Sequence, residues 1–248
     1  MKKEIHINDK YSDFHEFIDN LPANFESIGD LIYMGRNYVR VITIQDTRLV
    51  IKSFDHITVF NRLVYATIRQ PKATRSYINS QKLLQKGFET PEPVGYLNCF
   101  KNGVLGQSYY ISEYTGSRPL FEVFTMNIDL SEIIIRDFAR FTLNLHMNGI
   151  FHKDYNVRNV LYKRENNSTT FTLIDNNRMW FGKYSYKSSL RNLKRTEIPE
   201  YLMGIFADEY AKETSRHKLD TLYDYCKIRN KYHKYKVAKR LLRNNIKL

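Results

Sequence analysis

The chain has 248 residues, 42% of them apolar, and a formal net charge of +13. That is enough apolar material for a core and too much for a disordered chain, and it suits one large domain or two small lobes. No apolar run is long enough to span a bilayer, the N-terminal lysines lead into no signal-like stretch, and two cysteines (Cys99, Cys226) make no disulfide framework, as in a reducing cytoplasm. The positive balance favours polyanionic partners: nucleic acid, an anionic membrane face or a phosphorylated substrate.

In chain order, residues 1–25 show no strong period and read as a short leading segment. Residues 28–41 alternate loosely, with Gly29 and Gly35 among them. Residues 41–44 and 49–54 are β-rich runs separated by 45–48, which predicts a hairpin. Residues 72–86 read as a helix stopped by Gly87, and 109–114 as a strand. The loop at 115–119 then divides an N-terminal lobe (1–115) from a C-terminal lobe (116–248). Asp129 and Glu132 have the spacing of a capping box, and Ile134, Phe138, Phe141 and Leu145 continue a helical stripe to a stop at Asn148-Gly149. Residues 160–162 and 171–174 flank a polar turn at 164–168, a second hairpin. The stretch 227–247 is densely basic, with Ile228, Tyr232, Tyr235 and Leu242 at helical spacing. Two readings of it stay open: a docked helix with a solvated basic face, or an amphipathic helix lying on an anionic membrane.

The most informative residues lie between these elements. Leu145-His146 is followed by Gly149-Ile150, His152, Asp154 and Asn159, and Asp175 stands sixteen residues after Asn159. Asp154 and Asn159 share one loop, and Asp175 ends a short apolar strand. The second hairpin would hold Asn159 at one end and Asp175 at the other, facing one cleft. Phosphoryl transfer needs such parts: a group that accepts or orients a hydroxyl proton, and oxygen ligands for magnesium on nucleotide phosphates. His146 and His152 read as braces of the loop, and Arg158 as either a neutralising cation at the phosphoryl group or a solvated one.

The pattern L-H-x-x-G-I-x-H-x-D-x-x-x-x-N followed by I-D resembles the catalytic loop and metal-binding Asp of the protein-kinase-like superfamily. The resemblance implies an α+β fold of two lobes, a small β-rich N-lobe with one helix and a mainly helical C-lobe. It implies Asp154 as base, Asn159 and Asp175 as Mg²⁺ ligands, and ATP as phosphoryl donor. Lys52, in Leu49-Val50-Ile51-Lys52, is the implied contact to the α- and β-phosphates. Gly35, in Gly35-Arg36-Asn37, stands where a glycine-rich flap belongs, although no G-x-G-x-x-G exists. The backbone at Glu113 and Tyr114 is the implied neighbour of the adenine ring.

Asp175 is followed by Asn176-Asn177-Arg178 rather than Phe-Gly, no A-P-E appears, and the 73 remaining residues are too few for a peptide platform. The strings 151–162, 173–179 and 83–96 resemble the lipopolysaccharide core kinase family, Kdo/WaaP type, within a likeness running from about Ile28 to Asn192. This implies a cytoplasmic, ATP-dependent kinase of a core sugar, Kdo or heptose, on a lipid A precursor. The basic tail would make peripheral contact with the anionic inner-membrane face, and no nucleic acid partner is implied. One departure stands out. The superfamily holds its strand lysine with a Glu on the next helix, but residues 71–87 contain no Asp or Glu, and Asn79, Ser80 and Gln81 stand near that position. Lys52 is then held by a neutral hydrogen bond or by Asp175 directly. The departure keeps open a nucleotide-binding pseudokinase or a kinase of an aminoglycoside- or choline-type compound. A nucleic-acid-binding protein would suit the charge but leaves Asp154, Asn159 and Asp175 unexplained.

Overall fold

The computed structural model describes residues 2–54, 70–212, 214 and 216–245. The chain divides into two units: Met1–Gly116 with Leu173–Arg178, and Ser117–Thr172 with Met179–Leu248. Residues 173–178, expected in the C-terminal lobe, therefore pack with the first unit.

The first unit is built on an antiparallel sheet of β1 (Lys2–Ile7), β2 (Asp30–Met34), β3 (Tyr38–Ile44), β4 (Thr47–Ser53), β5 (Pro93–Lys101) and β6 (Val104–Glu113), in the order β1-β5-β6-β4-β3-β2. The expected leading segment, from Lys2 to Phe25, is instead part of the first unit's sheet and core. β1 pairs with β5 from Lys2 opposite Phe100 to Ile7 opposite Gly95. A Cβ at Gly95 would sit 2.5 Å from the His6 carbonyl oxygen, so glycine lets the two strands approach. Tyr11, Phe14, Ile18, Leu21 and Phe25 then enter the core beside Leu49, Ile51, Leu97, Tyr109 and Ile111. Their spacing of three, four, three and four is a helical period after all. It is carried by a 3₁₀ turn and two short helices, α1 (His15–Asp19) and α2 (Leu21–Asn24), and so escapes a reading that looks for one long helix.

The β3–β4 hairpin is tighter than expected. Its turn is only Gln45-Asp46, both with positive φ (47° and 64°), the geometry that matches strand twist. Along β4 the side chains alternate, so Leu49 and Ile51 are buried while Lys52 lies on the opposite face. The predicted helix is α3 (Lys72–Gln85), followed by Gly87 at φ 77°. It packs on β5 and β6 through Ala73, Tyr77, Ser80 and Leu83.

The second unit is mainly helical: α4 (Ile128–Met147), α5 (Tyr186–Leu193), α6 (Glu200–Ala211) and α7 (Lys218–Asn245), with short strands β7 (Arg118–Pro119), β8 (Ile150–His152), β9 (Val160–Glu165), β10 (Ser168–Leu173) and β11 (Met179–Phe181). The cap of α4 is Asn127, whose Oδ1 accepts from the Asp129 amide at 2.8 Å. Asp129 is already helical, and Glu132 pairs with Arg136 instead. The β9–β10 turn is Asn166-Asn167, again two residues at positive φ (48° and 63°). Phe138 is the hub of an aromatic core, touching Tyr155, Phe171 and Phe206, and Phe206 continues to Tyr210 and Tyr225. α7 packs against the unit through its first half. Thr221 and Tyr225 are buried and Arg229 donates to the Ile198 carbonyl at 2.7 Å. Beyond Tyr232, the side chains of Tyr235, Val237, Leu241 and Leu242 are all more than half exposed. Among the described residues, these distal apolar positions are left largely open to solvent.

Candidate active site

The loop after α4 positions Asp154 and Asn159 within the second unit. Gly149 ends the helix at φ 69°, and a Cβ there would overlap the Gly182 carbonyl. Glycine thus lets β8 pair with β11, with His152 opposite Met179. His152 is buried, and its Nδ1 accepts from the Asp154 amide at 3.1 Å. That bond places the ring proton on Nε2 and fixes the turn leading to the carboxylate. Asn192 of α5 donates to the His152 carbonyl at 2.6 Å and accepts from His146 Nε2 at 2.9 Å, while His146 Nδ1 meets the Tyr210 hydroxyl at 2.7 Å. Burial pushes His146 down to about 4, so the ring is a neutral brace. Further along, Asn156 caps the Arg158 amide, and Asn159 Nδ2 donates to the Asp154 carbonyl at 2.9 Å. The carboxamide nitrogen of Asn159 is thereby spent on the loop, which leaves its Oδ1 as the donor atom for a cation. Arg158 lies over the Phe121 ring at 4.9 Å.

Sequence reasoning missed Arg195. Its Nη1 forms an ion pair with Asp154 Oδ1, and its guanidinium lies 5.4 Å over the ring of Tyr232 from α7. The carboxylate expected to serve as base is thus oriented by an arginine that α7 braces. Forty-one positions separate the pair in a stretch with no recognisable motif, so no spacing could have flagged it.

Lys52 and Asp175 come together in the first unit. Lys52 Nζ lies 2.7 Å from Asp175 Oδ1, and Asn177 Nδ2 donates to the same oxygen at 2.5 Å. Asp175 is held in the left-handed region at φ 62°, unusual for a non-glycine residue. Its neighbours pin it there. Asn79 Nδ2 donates to the Asn176 carbonyl at 2.6 Å, Arg75 to the Asn177 carbonyl at 2.9 Å, and Asn176 Nδ2 to Ser80 Oγ and Thr90 Oγ1. Of the two ways to hold Lys52 without a helix carboxylate, the structure takes the direct one. Asn79 and Ser80 bond the loop around Asp175, and Gln81 reaches Tyr77.

The remaining expected residues are less involved. Gly35 forms the turn between β2 and β3, with its amide donating to the Asn37 carbonyl at 3.1 Å. The amides of Glu113 and Tyr114 are committed to the Glu92 and Arg48 carbonyls at 2.9 and 2.8 Å. The Glu113 carboxylate accepts from the Tyr11 hydroxyl, and Arg48 stacks 3.9 Å over the Tyr114 ring. Both side chains are therefore structural, and those two N–H groups are not donors to a purine.

Magnesium brought in on nucleotide phosphates requires only one or two protein oxygens. The Asp175 carboxylate and the Asn159 Oδ1 are hard donors of that kind. Among the described residues, no helix is long and apolar enough to cross a membrane.

Residues 46–220 match the lipopolysaccharide kinase (Kdo/WaaP) family. No curated protein is a match to the chain in sequence. Among solved structures, WaaP in complex with acyl carrier protein is similar at a TM-score of 0.62 and 13% identity, covering 95% of this chain and 98% of that one. The Rio2 kinase of Chaetomium thermophilum, in an ADP/Mg²⁺-phosphoaspartate complex, is similar at 0.47 and 14% identity, covering 91% and 77%. The α+β fold anticipated from the sequence, an antiparallel sheet with one long helix followed by a mainly helical part, is the fold present and is shared with WaaP.

Proposed function

The chain belongs to the lipopolysaccharide kinase (Kdo/WaaP) family, whose members are phosphotransferases acting on a hydroxyl, and we propose that it phosphorylates a core sugar, Kdo or heptose, of a lipopolysaccharide precursor with ATP. The observation that carries this reading is the Asp154 loop: a carboxylate fixed by His152 behind it, Arg195 beside it and Asn159 closing the turn. In the proposed mechanism Asp154 accepts or orients the proton of the attacking sugar hydroxyl. Lys52 holds the α- and β-phosphates of ATP, leaving Asp175 as the nucleotide enters. Asn159 and Asp175 are the proposed magnesium ligands. The ion, when bound, neutralises charge on the phosphates and aligns the transferred group.

The decisive measurement is mass spectrometry of lipopolysaccharide core from cells with and without the gene. One phosphate on Kdo or heptose should vanish with the gene and return with wild type but not with Asp154→Asn. A second reading, a nucleotide-binding pseudokinase, is favoured by the absence of any carboxylate from α3. Calorimetry separates the two: for the active enzyme ATP affinity rises with Mg²⁺ and Asp175→Ala abolishes the rise. Indifference to Mg²⁺ in the wild type supports the pseudokinase.

The distal part of α7 is proposed to rest on the anionic inner face of the inner membrane, where each Lys or Arg contributes about 1 kcal/mol. The exposed Val237, Leu241 and Leu242 interleaved with Lys234, Lys236, Lys239 and Arg240 support this. Removing residues 237–248 spares Arg229 and Tyr232 and should weaken sedimentation with anionic liposomes. Undiminished sedimentation, together with lost binding to acyl carrier protein, would instead give the helix the type of partner seen with WaaP.

A further inference from the structure

The first turn of α3 carries no carboxylate, but it does carry Lys72 and, one turn on, Arg75. Lys72 Nζ lies 5.5 Å from the centroid of the Phe54 ring, and Lys52 Nζ lies 5.4 Å from the same centroid. Two ammonium groups thus share one buried aromatic ring. Lys52 is neutralised by Asp175. Arg75 is tied to the carbonyls of Gln70 and Asn177. Among the described residues, Lys72 Nζ has no hydrogen-bond acceptor and no ion pair. Burial pushes its ammonium below the usual lysine range, the Asp175 charge offsets part of that, and Lys52, Arg75 and Arg36 add to it. Lys72 thus stands among three other cations, Lys52, Arg75 and Arg36, with Asp175 as the nearby carboxylate, and that carboxylate is already bonded to Lys52 and Asn177. A half-buried, unpaired ammonium costs stability, so a surplus of this kind points to an anion that completes the site.

We propose that Lys72, the first residue of α3, is a second phosphate-binding cation of the nucleotide site, on the helix that in related folds carries the acidic partner of the strand lysine about two turns further on. The assignment rests on the reading that the chain binds ATP. Two ammonium groups on one ring suit a chain of linked phosphates better than a single one. The ligand class is therefore a nucleoside di- or triphosphate. When it binds, Lys52 exchanges Asp175 for a phosphate oxygen and Lys72 gains its first direct ion pair. This assigns α3 a role opposite to that of a carboxylate-bearing helix: it grips the nucleotide rather than the lysine.

The test uses the full chain, without acceptor, and titrates Mg-ATP, Mg-ADP and AMP into wild type, Lys72→Met and Lys72→Arg. Lys72→Met should weaken ATP and ADP by about tenfold, the scale of one charge-assisted contact, and leave AMP unchanged. Lys72→Arg should stay within about threefold of wild type, since it keeps the charge. Without nucleotide, Lys72→Met should melt at or above the wild-type temperature, because an unpaired buried charge has been removed. Wild-type ATP affinity in Lys72→Met, or a lower melting temperature without nucleotide, overturns the assignment and leaves the kinase reading intact. A wild-type protein that binds none of the three nucleotides overturns the kinase reading, and this assignment with it.

Discussion

The loop that carries Asp154 and Asn159 bonds mostly to itself, whereas the corner that carries Lys52 and Asp175 is assembled from residues far apart in sequence. In the loop, His152 holds the Asp154 amide and Asn159 holds the Asp154 carbonyl, across two and five residues. In the corner, Lys52 meets Asp175 across 123 positions, and the supporting bonds, donated by Arg75 and Asn79 and accepted by Ser80, span about a hundred. A self-bonded loop must keep its residue types at fixed spacing, so it can be read from a string. A corner built at long range can swap partners, here a helix carboxylate for amides and hydroxyls, and still hold its lysine.

Four substitutions probe this contrast. Asp154→Asn keeps the loop's internal bonds and removes the proton acceptor together with its charge pairing to Arg195. Turnover should fall by roughly 10²–10⁴, with ATP affinity nearly unchanged by calorimetry. A well-folded variant with near-normal transfer would remove Asp154 from the mechanism. In the corner, Ser80 is fully buried and bonded to Tyr110 and Asn176. Ser80→Glu would restore the carboxylate expected of related folds, but into a neutral network of Tyr110 and Asn176. It should destabilise by about 3 kcal/mol, read as a lower urea midpoint. Unchanged stability would mean that the corner accommodates a carboxylate after all.

His146 sharpens the other side of the comparison through pH. Its folded-state value, about 4, lies below the ordinary 6.5, so the unfolded chain binds the extra proton. The stabilisation from the neutral ring is fully present above pH 6.5 and is lost as pH falls through about 4. The loss is on the order of 3 kcal/mol across that window. Urea midpoints measured from pH 7 to 4 should fall less steeply in His146→Gln; an identical slope would count against the buried neutral ring. The smallest effect belongs to Gln81→Glu. Gln81 is half-buried and its side chain donates to the Tyr77 hydroxyl. The change should stay within about 0.5 kcal/mol and leave turnover unaltered.

The same contrast explains what the sequence reveals. The helix 72–86, both hairpins and the catalytic-loop pattern are legible because each is set by neighbours a few residues apart. The hairpin turns read two and three residues too long because Thr47-Arg48 in one, and Arg164-Glu165 and Ser168 in the other, look polar, yet they belong to the strands once Gln45-Asp46 and Asn166-Asn167 take positive φ. The Asn127 cap is hidden by an equally suitable Asp129 two positions later. Arg195 and Lys72 are invisible for a different reason. Each is one cation among 39 lysines and arginines, and only the fold shows which stands beside a carboxylate and which lacks one.

The path of the backbone has a practical consequence for dissecting the molecule. The chain leaves the first unit at Gly116, comes back for Leu173–Arg178 and leaves again. A recombinant piece ending at Gly116 would carry Lys52 without its counter-charge. It would also lack the segment that receives bonds from Arg75, Asn79 and Thr90 and donates from Leu173 to Glu89. Conversely, a protease that nicks the chain after Gly116 would not by itself free the sheet, because those same bonds and the Lys52–Asp175 pair still clasp the returning strand. Digestion would give two bands on a denaturing gel from a particle that elutes as one. Nucleotide binding could then survive a cut that, on paper, divides the protein at its domain boundary.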